Sequence, residues 1–203
     1  MMPPSDQFGA KPAVLRCSRC GKLVDWEDAQ LQVVCTCRPR LDLPPVFVRE
    51  AVDADRPAVR TLFESDFGRT KIVAFGEVMD IDQMPALVAL VTQDLAGALA
   101  YRLFSDALHI VALATDPLWQ RSGVGGHLVA EAELLARRLN LLRAMVATTN
   151  DNLPALYFYQ RRGYRLTDLI PGGITSHTGQ EVGGFAGIPV RDEVRLEKRL
   201  AGS

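Results

Sequence analysis

The sequence carries almost no net charge, no long apolar run and no cysteine beyond position 37. Its 23 Lys and Arg against 24 Asp and Glu give a formal charge of -1, so net charge offers no case for a nucleic-acid binder. The apolar runs Ala86–Val91 and Leu108–Ala114 are too short to span a bilayer. Met1–Asp6 has no basic patch followed by an apolar stretch, so the expected location is the cytoplasm, away from membranes. Neither Gly (16) nor Pro (12) is abundant enough for a fibrous chain, and no internal repeat suggests a solenoid. What is present, 48% hydrophobic side chains in 203 residues, suits one sizeable core with a small appended module.

The cysteines cluster as Cys17-x-x-Cys20 and Cys35-x-Cys37. The first pair, followed by Gly21, reads as a knuckle that aims two thiolates at one metal. A hairpin through Lys22–Trp26 and Leu31–Val34 is expected to return the second pair and close a tetrahedral four-thiolate site for a structural Zn2+. The module, residues 14–38, is similar to a zinc ribbon, although its second pair has one intervening residue rather than two. A cytosolic setting disfavours disulfides, and no thioredoxin-like context surrounds Cys17. Residues 1–13 are expected to be disordered. Arg38-Pro-Arg-Leu-Asp-Leu-Pro-Pro45 is proline-stiffened, giving a linker at 39–45 and a main domain at 46–203.

That domain opens with a β-rich run, Val46–Ala51. Asp53 or Asp55 then caps a helix with Val59, Leu62 and Phe63 on one face and Pro57 in its first turn. Asp66–Met84 is ambiguous, with a second helix and loops as the expectation. Ala86–Thr92 and Ala98–Phe104 read as strands joined by a turn at Asp94–Gly97. Leu108–Thr115 is nearly all apolar, as befits a strand buried on both faces. A helix carrying Val124, Leu128, Ala132, Leu135 and Leu139 follows, then a strand at Leu142–Thr149 and a helix at Leu153–Arg162. Strands at Tyr164–Ile170 and Glu193–Leu200 close the chain around a glycine-rich loop, Pro171–Gly187. The fold class is α+β: a mixed, mostly antiparallel sheet flanked by helices.

Between the buried strand and the long helix stands Gln120-Arg121-Ser122-Gly123-Val124-Gly125-Gly126. Glycines let backbone N–H groups approach a ligand, and the helix N-terminus adds positive potential, so the segment is a candidate anion cradle. A dinucleotide fingerprint requires glycine where Leu128 stands, and a phosphate-binding P-loop requires Lys-Ser/Thr where His127-Leu128 stands. Neither applies.

In its setting, Leu113–Leu128 resembles the acetyl-CoA motif of the GNAT superfamily of N-acetyltransferases, whose Gln/Arg-x-x-Gly-x-Gly/Ala core is met by Gln120, Gly123 and Gly125. Asn152-Leu-Pro-Ala155-Leu-Tyr-Phe-Tyr159-Gln-Arg-Arg-Gly163-Tyr164 matches a second family motif at every fixed position. The resemblance implies that the backbone of Leu113, Ala114 and Thr115 pairs with the pantetheine arm. It implies that Gln120, Arg121, Ser122, Gly123, Val124, Gly125 and Gly126 form the pyrophosphate loop, and that Asn152 contacts the cofactor. It also implies that Tyr159 protonates the departing CoA thiolate, a step a neutral phenol suits at neutral pH. Histone-acetylating relatives carry a glutamate at about the position of His109, which makes His109 the candidate base. The alternative for His109 is an ordinary strand histidine, and for Tyr159 core packing within Tyr157–Tyr159. His177, in the final loop, is a weaker candidate base.

The expected activity is direct transfer of acetyl from acetyl-CoA to a primary amine of a small molecule or protein. The segment Glu50–Asp106 holds ten acidic and five basic residues, which mildly favours a cationic acceptor. A homodimer is compatible with the sequence. Two other classes stay open: an acyl-CoA-binding sensor without turnover, and a zinc-ribbon interaction protein on a GNAT scaffold.

Overall fold

The computed structural model describes residues 15–16, 23–24 and 45–200. The chain divides into two units, 1–43 and 44–203. In the first, β1 (Leu15–Arg16) and β2 (Leu23–Val24) pair antiparallel, Leu15 opposite Val24 and Arg16 opposite Leu23. This pairing brackets positions 17–22. The expected hairpin partner Leu31–Val34 and all four cysteines lie outside the described residues.

The second unit begins with β3 (Val46–Glu50) and α1 (Arg56–Phe67). Pro57 stands in the first turn of α1, where its missing N–H costs nothing. Val59, Leu62 and Phe63 are buried, as their spacing predicts. Asp55 precedes the helix, but its carboxylate is engaged by Arg49 and the Val52 N–H rather than by the helix itself. The ambiguous stretch contains no second helix. It forms a hairpin, β4 (Lys71–Ala74) and β5 (Glu77–Asp80), followed by a single 3-10 turn.

β6 (Ala86–Val91) and β7 (Asp94–Leu103) follow, and the chain reverses at Thr92-Gln93, two residues before the expected turn. Next come β8 (Ala107–Thr115), α2 (Val124–Arg138), β9 (Arg143–Thr149), α3 (Leu153–Gln160) and β10 (Arg165–Ile170). The loop beyond holds a one-turn helix, α4 (Thr175–Thr178), and a short ribbon of β11 (Val182–Gly183) and β12 (Pro189–Val190). β13 (Glu193–Arg199) closes the fold.

The main sheet has seven strands in the order β10-β13-β9-β8-β7-β6-β3. All its pairings are antiparallel except β8 with β9. One core lies on the α2–α3 side and includes Leu87, Leu99, Leu108, Ile110 and Leu128. The other lies on the α1 side with Phe63, Val88, Ala98 and Ile81. Leu128 is fully buried, a transfer from water worth on the order of 2 kcal/mol. By contrast Leu139 ends α2 half exposed and contributes little to that face.

Candidate active site

The site is built on an irregularity in β8. Opposite β7 the register shifts between Ala100 and Tyr101, whose partners are Ala112 and Ile110, so Val111 is an extra residue. A bulge reverses the phase of a strand. Before it, Leu108 and Ile110 face the α2 core; after it, Ala112 and Ala114 join the α1 core. The parallel ladder to β9 ends at the same place: it runs from Ala107–Arg143 to Ile110–Val146 and no further. Leu113, Ala114 and Thr115 keep their β7 partners Leu99, Ala98 and Gly97, but have none on the β9 side. The two strands therefore part, leaving a wedge edged by unpaired backbone. Unpaired backbone at a strand edge accepts an extended ligand arm as it would another strand.

The glycine loop stands at the end of β8. Arg121 (φ 64°) and Gly123 (φ 97°) both adopt left-handed backbone, turning the chain sharply into α2. The first intrahelical bond closes from His127 N–H to the Gly123 carbonyl. The N–H groups of Val124, Gly125 and Gly126 lie before it and have no helical acceptor. A Cβ on Gly125 would sit 3.4 Å from the Phe158 ring and 3.6 Å from Thr115 Oγ1, so only a small residue preserves the space there. The Ser122 hydroxyl donates to the Trp119 carbonyl, and the Gln120 amide reaches the Thr115 carbonyl at 3.5 Å. Asn152 Oδ1 accepts from the Ala155 N–H at 3.1 Å and caps α3, which leaves its NH2 group for a ligand.

Arg162 belongs to this site as well. Its guanidinium lies 3.7 Å from the Phe158 centroid, and Nη2 comes within 2.5 Å of where a Gly126 Cβ would stand. Burial lowers its pKa, yet a guanidinium remains charged at neutral pH. Among the described residues most arginines pair with a carboxylate; Arg121, Arg161 and Arg162, like Arg69 and Arg165 elsewhere, do not. Unneutralised cations beside free amides favour a polyanion.

Tyr159 sits in the α2–α3 core, 4% exposed, with its ring edge-on to Phe158 and Tyr164. Burial raises its pKa above the usual 10, so it is a phenol with its proton in place at any physiological pH.

His109 lies before the bulge and therefore on the opposite face. Phe75, at the tip of the β4–β5 hairpin, stacks on its ring at 4.0 Å, and Phe104 flanks it at 4.2 Å. Its Nδ1 is buried without a hydrogen-bond partner. Desolvation, helped by the nearby charges of Arg102, Arg143 and Arg195, lowers its pKa to about 4, against an opposing effect of Asp106. The imidazole is neutral at pH 7 and a weak base. Each of these arginines is paired with a carboxylate: Arg102 with Glu77, Arg143 with Asp106 and Glu197, and Arg195 with Glu193. His177 is exposed in α4, its Nδ1 near Ser176 Oγ and the Gly173 carbonyl, each at 3.1 Å.

The structure thus brings the start of α2, Leu113 and Tyr159 to the α2–α3 side of the sheet, and sets Ala114 and His109 on the other. Arg162 and Phe158 went unassigned in the sequence although both stand inside the second motif; their i, i+4 spacing on α3 was the available signal. Phe75 carried no such signal.

The comparisons with known proteins agree with this architecture. The chain is 31% identical over 147 residues to the uncharacterized protein YxbD of Bacillus subtilis (strain 168), covering 70% of this chain and 91% of that protein. It is 39% identical over 88 residues to blasticidin-S acetyltransferase of Streptomyces morookaense, 41% of this chain and 63% of that one. Among solved structures, a GNAT family acetyltransferase from Elizabethkingia anophelis with acetyl-CoA bound shares the fold at a TM-score of 0.64 and 20% identity, over 76% of this chain and 98% of that chain. No helix among the described residues is long and apolar enough to cross a membrane. The sequence model of the acetyltransferase (GNAT) family matches residues 53–164, more than half of the chain, and the protein belongs to that family.

Proposed function

We propose that this protein is an acetyl-CoA-dependent N-acetyltransferase that moves the acetyl group directly to a primary amine. The observation that carries the reading is the wedge between β8 and β9, with free first-turn amides at one end and a buried phenol beside it. In this reading the edge of Leu113–Thr115 holds the extended arm of the substrate. The amides of Val124–Gly126, with Arg121 and Arg162, hold its phosphates. A neutral amine attacks the thioester carbonyl, the C–N bond forms, and backbone N–H groups of β8 stabilise the oxyanion. Collapse breaks the C–S bond, and the thiolate takes the Tyr159 proton. The proton lost by the amine leaves through His109 or water. The proposed transfer is direct, without an acyl-enzyme intermediate, because this reading assigns all four cysteines, at positions 17–37, to a metal.

Calorimetric titration of acetyl-CoA tests the reading. Micromolar binding that disappears in Gly125→Leu is the expected result; no binding to the intact protein would overturn it.

The four cysteines Cys17, Cys20, Cys35 and Cys37 carry a second assignment, a structural Zn2+. It is supported by their spacing and by the β1–β2 pairing that brackets the first pair. Four thiolates complete the coordination of zinc, so such a site supports folding rather than the transfer reaction.

A further inference from the structure

The tip of the β4–β5 hairpin is built against local preference. Ala74 pairs with Glu77, leaving Phe75 (φ 55°) and Gly76 (φ 75°) as the two central residues of the turn. Two-residue hairpin turns with positive φ at both positions favour Asn-Gly or Asp-Gly, because a bulky side chain is strained there. Phenylalanine at the first position is therefore strained. Something on the far side of that ring must justify it.

The turn is fastened on its Gly76–Glu77 side. The Gly76 N–H donates to Oε2 of Glu193 at 3.1 Å, and Oε1 of that fully buried carboxylate accepts from Arg195 Nε at 2.5 Å. Glu77 accepts from Arg102 Nη1 at 2.7 Å. The rings and guanidinium groups form one run. Arg195 lies 5.8 Å from Phe75, Phe75 stacks on His109, His109 meets Phe104, and Arg102 covers Phe104 at 4.3 Å. The strained turn therefore presses a flat ring onto the one imidazole that stands near the start of the wedge.

We propose that Phe75 is the acceptor-selecting residue of this enzyme, covering His109 so that the amine admitted is flat, conjugated and uncharged, an aryl or heteroaryl amine. The inference rests on the acetyltransferase reading above and deepens it. A planar group that slides against the imidazole replaces one ring contact with another and leaves no charge desolvated. Near the ring Arg102 is paired with Glu77, Arg143 with Asp106 and Glu197, and Arg195 with Glu193, so a polyamine meets guanidinium groups there and carboxylates already engaged by them. The proton balance agrees. Conjugation of the nitrogen lone pair keeps such an amine neutral at pH 7, so no strong base is required to prepare it. The proton is lost only after attack, when the nitrogen is bonded to the acetyl carbon and is far more acidic. A buried, weakly basic imidazole suits that later step.

The test uses the full chain with saturating acetyl-CoA, 4-methoxyaniline and spermidine as acceptors, and Phe75→Asn as the variant. Asparagine relieves the left-handed strain while giving up the packing of the ring, so the two changes offset and the variant should fold. The expected native preference is at least about tenfold in kcat/KM for the aryl amine, a difference near 1.4 kcal/mol. In Phe75→Asn that preference should fall about tenfold, through KM, with acetyl-CoA affinity unchanged. By NMR, the His109 titration should rise from about 4 toward 6.5 as water reaches the ring. Spermidine preferred by the native protein would overturn the proposal, as would a variant with the native preference and the native His109 titration. Loss of acetyl-CoA binding in the native protein would instead sink the enzyme reading, and the NMR titration would still decide whether Phe75 covers His109.

Discussion

Tyr159 stands edge-on to Tyr164, ring centroids 5.3 Å apart, and Tyr164 in turn packs beside the Lys198 ammonium, which donates to both oxygens of Glu133 at 2.8 and 2.7 Å. The buried ion pair and the second tyrosine leave the first little freedom to turn. Replacing Tyr159 by Phe keeps this packing and deletes only the proton. The expected result is a fall in kcat of about 10²-fold or more with acetyl-CoA affinity within twofold. Stopped-flow release of CoA thiol measures the first and calorimetry the second. An unchanged kcat would return Tyr159 to core packing.

The glycine loop makes a sharper prediction about binding. Gly123 has φ 97°, a conformation side chains resist, whereas Gly125 has an ordinary φ and open space to about the size of a methyl group. Gly123→Ala should therefore cost about 1 kcal/mol or more of stability and weaken acetyl-CoA binding. Gly125→Ala should bind nearly normally, and Gly125→Leu should not bind. A thermal melt combined with a titration separates strain in the loop from loss of the space above it.

For the four-cysteine module the expected outcome is one zinc per chain by elemental analysis. Cys17→Ser should lower the metal content and make residues 14–38 sensitive to protease, while acetyl-CoA binding by residues 46–203 stays intact. Strong chelators should reproduce the effect. A native protein that holds no zinc as purified, and whose protease pattern changes neither with Cys17→Ser nor with chelator, would remove zinc from the account.

The sequence revealed most of this fold where periodicity or motif was strong. α1, α2, α3 and the strands β6, β8, β9, β10 and β13 fall within a residue or two of expectation. The failures have physical causes. β8 reads Ala-Leu-His-Ile-Val-Ala-Leu-Ala-Thr, apolar on both faces, so nothing in its pattern marks Val111 as the bulge that opens the site. The β4–β5 hairpin escaped because its turn carries Phe-Gly instead of a turn signature. Gly97 suggested a turn for a different reason: a Cβ there would lie 2.8 Å from Val124 Cγ1 and 3.0 Å from the Ala114 carbonyl. It is glycine because α2 crosses β7 closely.

That crossing gives its own test. Gly97→Ala must push Val124 and Leu128 aside in a packed core, at a cost of about 1–3 kcal/mol. The urea midpoint should fall accordingly with an unchanged slope. Because Val124 opens α2, acetyl-CoA binding should weaken too. Gly179→Ala, at an exposed position with nothing nearby but φ 75°, should cost less and leave binding alone.

His109 makes stability depend on pH in a predictable window. Its pKa is 6.5 when exposed and about 4 in the fold, so between those values the unfolded chain binds more protons than the native one. Stability from the buried neutral ring is therefore complete above 6.5 and is lost as pH falls toward 4, with a slope approaching about 1.4 kcal/mol per pH unit. Arg49 and Arg60 hold the carboxyls of Asp55 and Asp82 below their usual range, so their contribution disappears only at lower pH. Comparing the native protein with His109→Phe cancels those acids, since both proteins retain them. Urea midpoints at pH 7.5 and pH 5 should show the native protein losing more stability than the variant. Equal losses would mean that His109 is hydrated in solution and that Phe75 does not cover it.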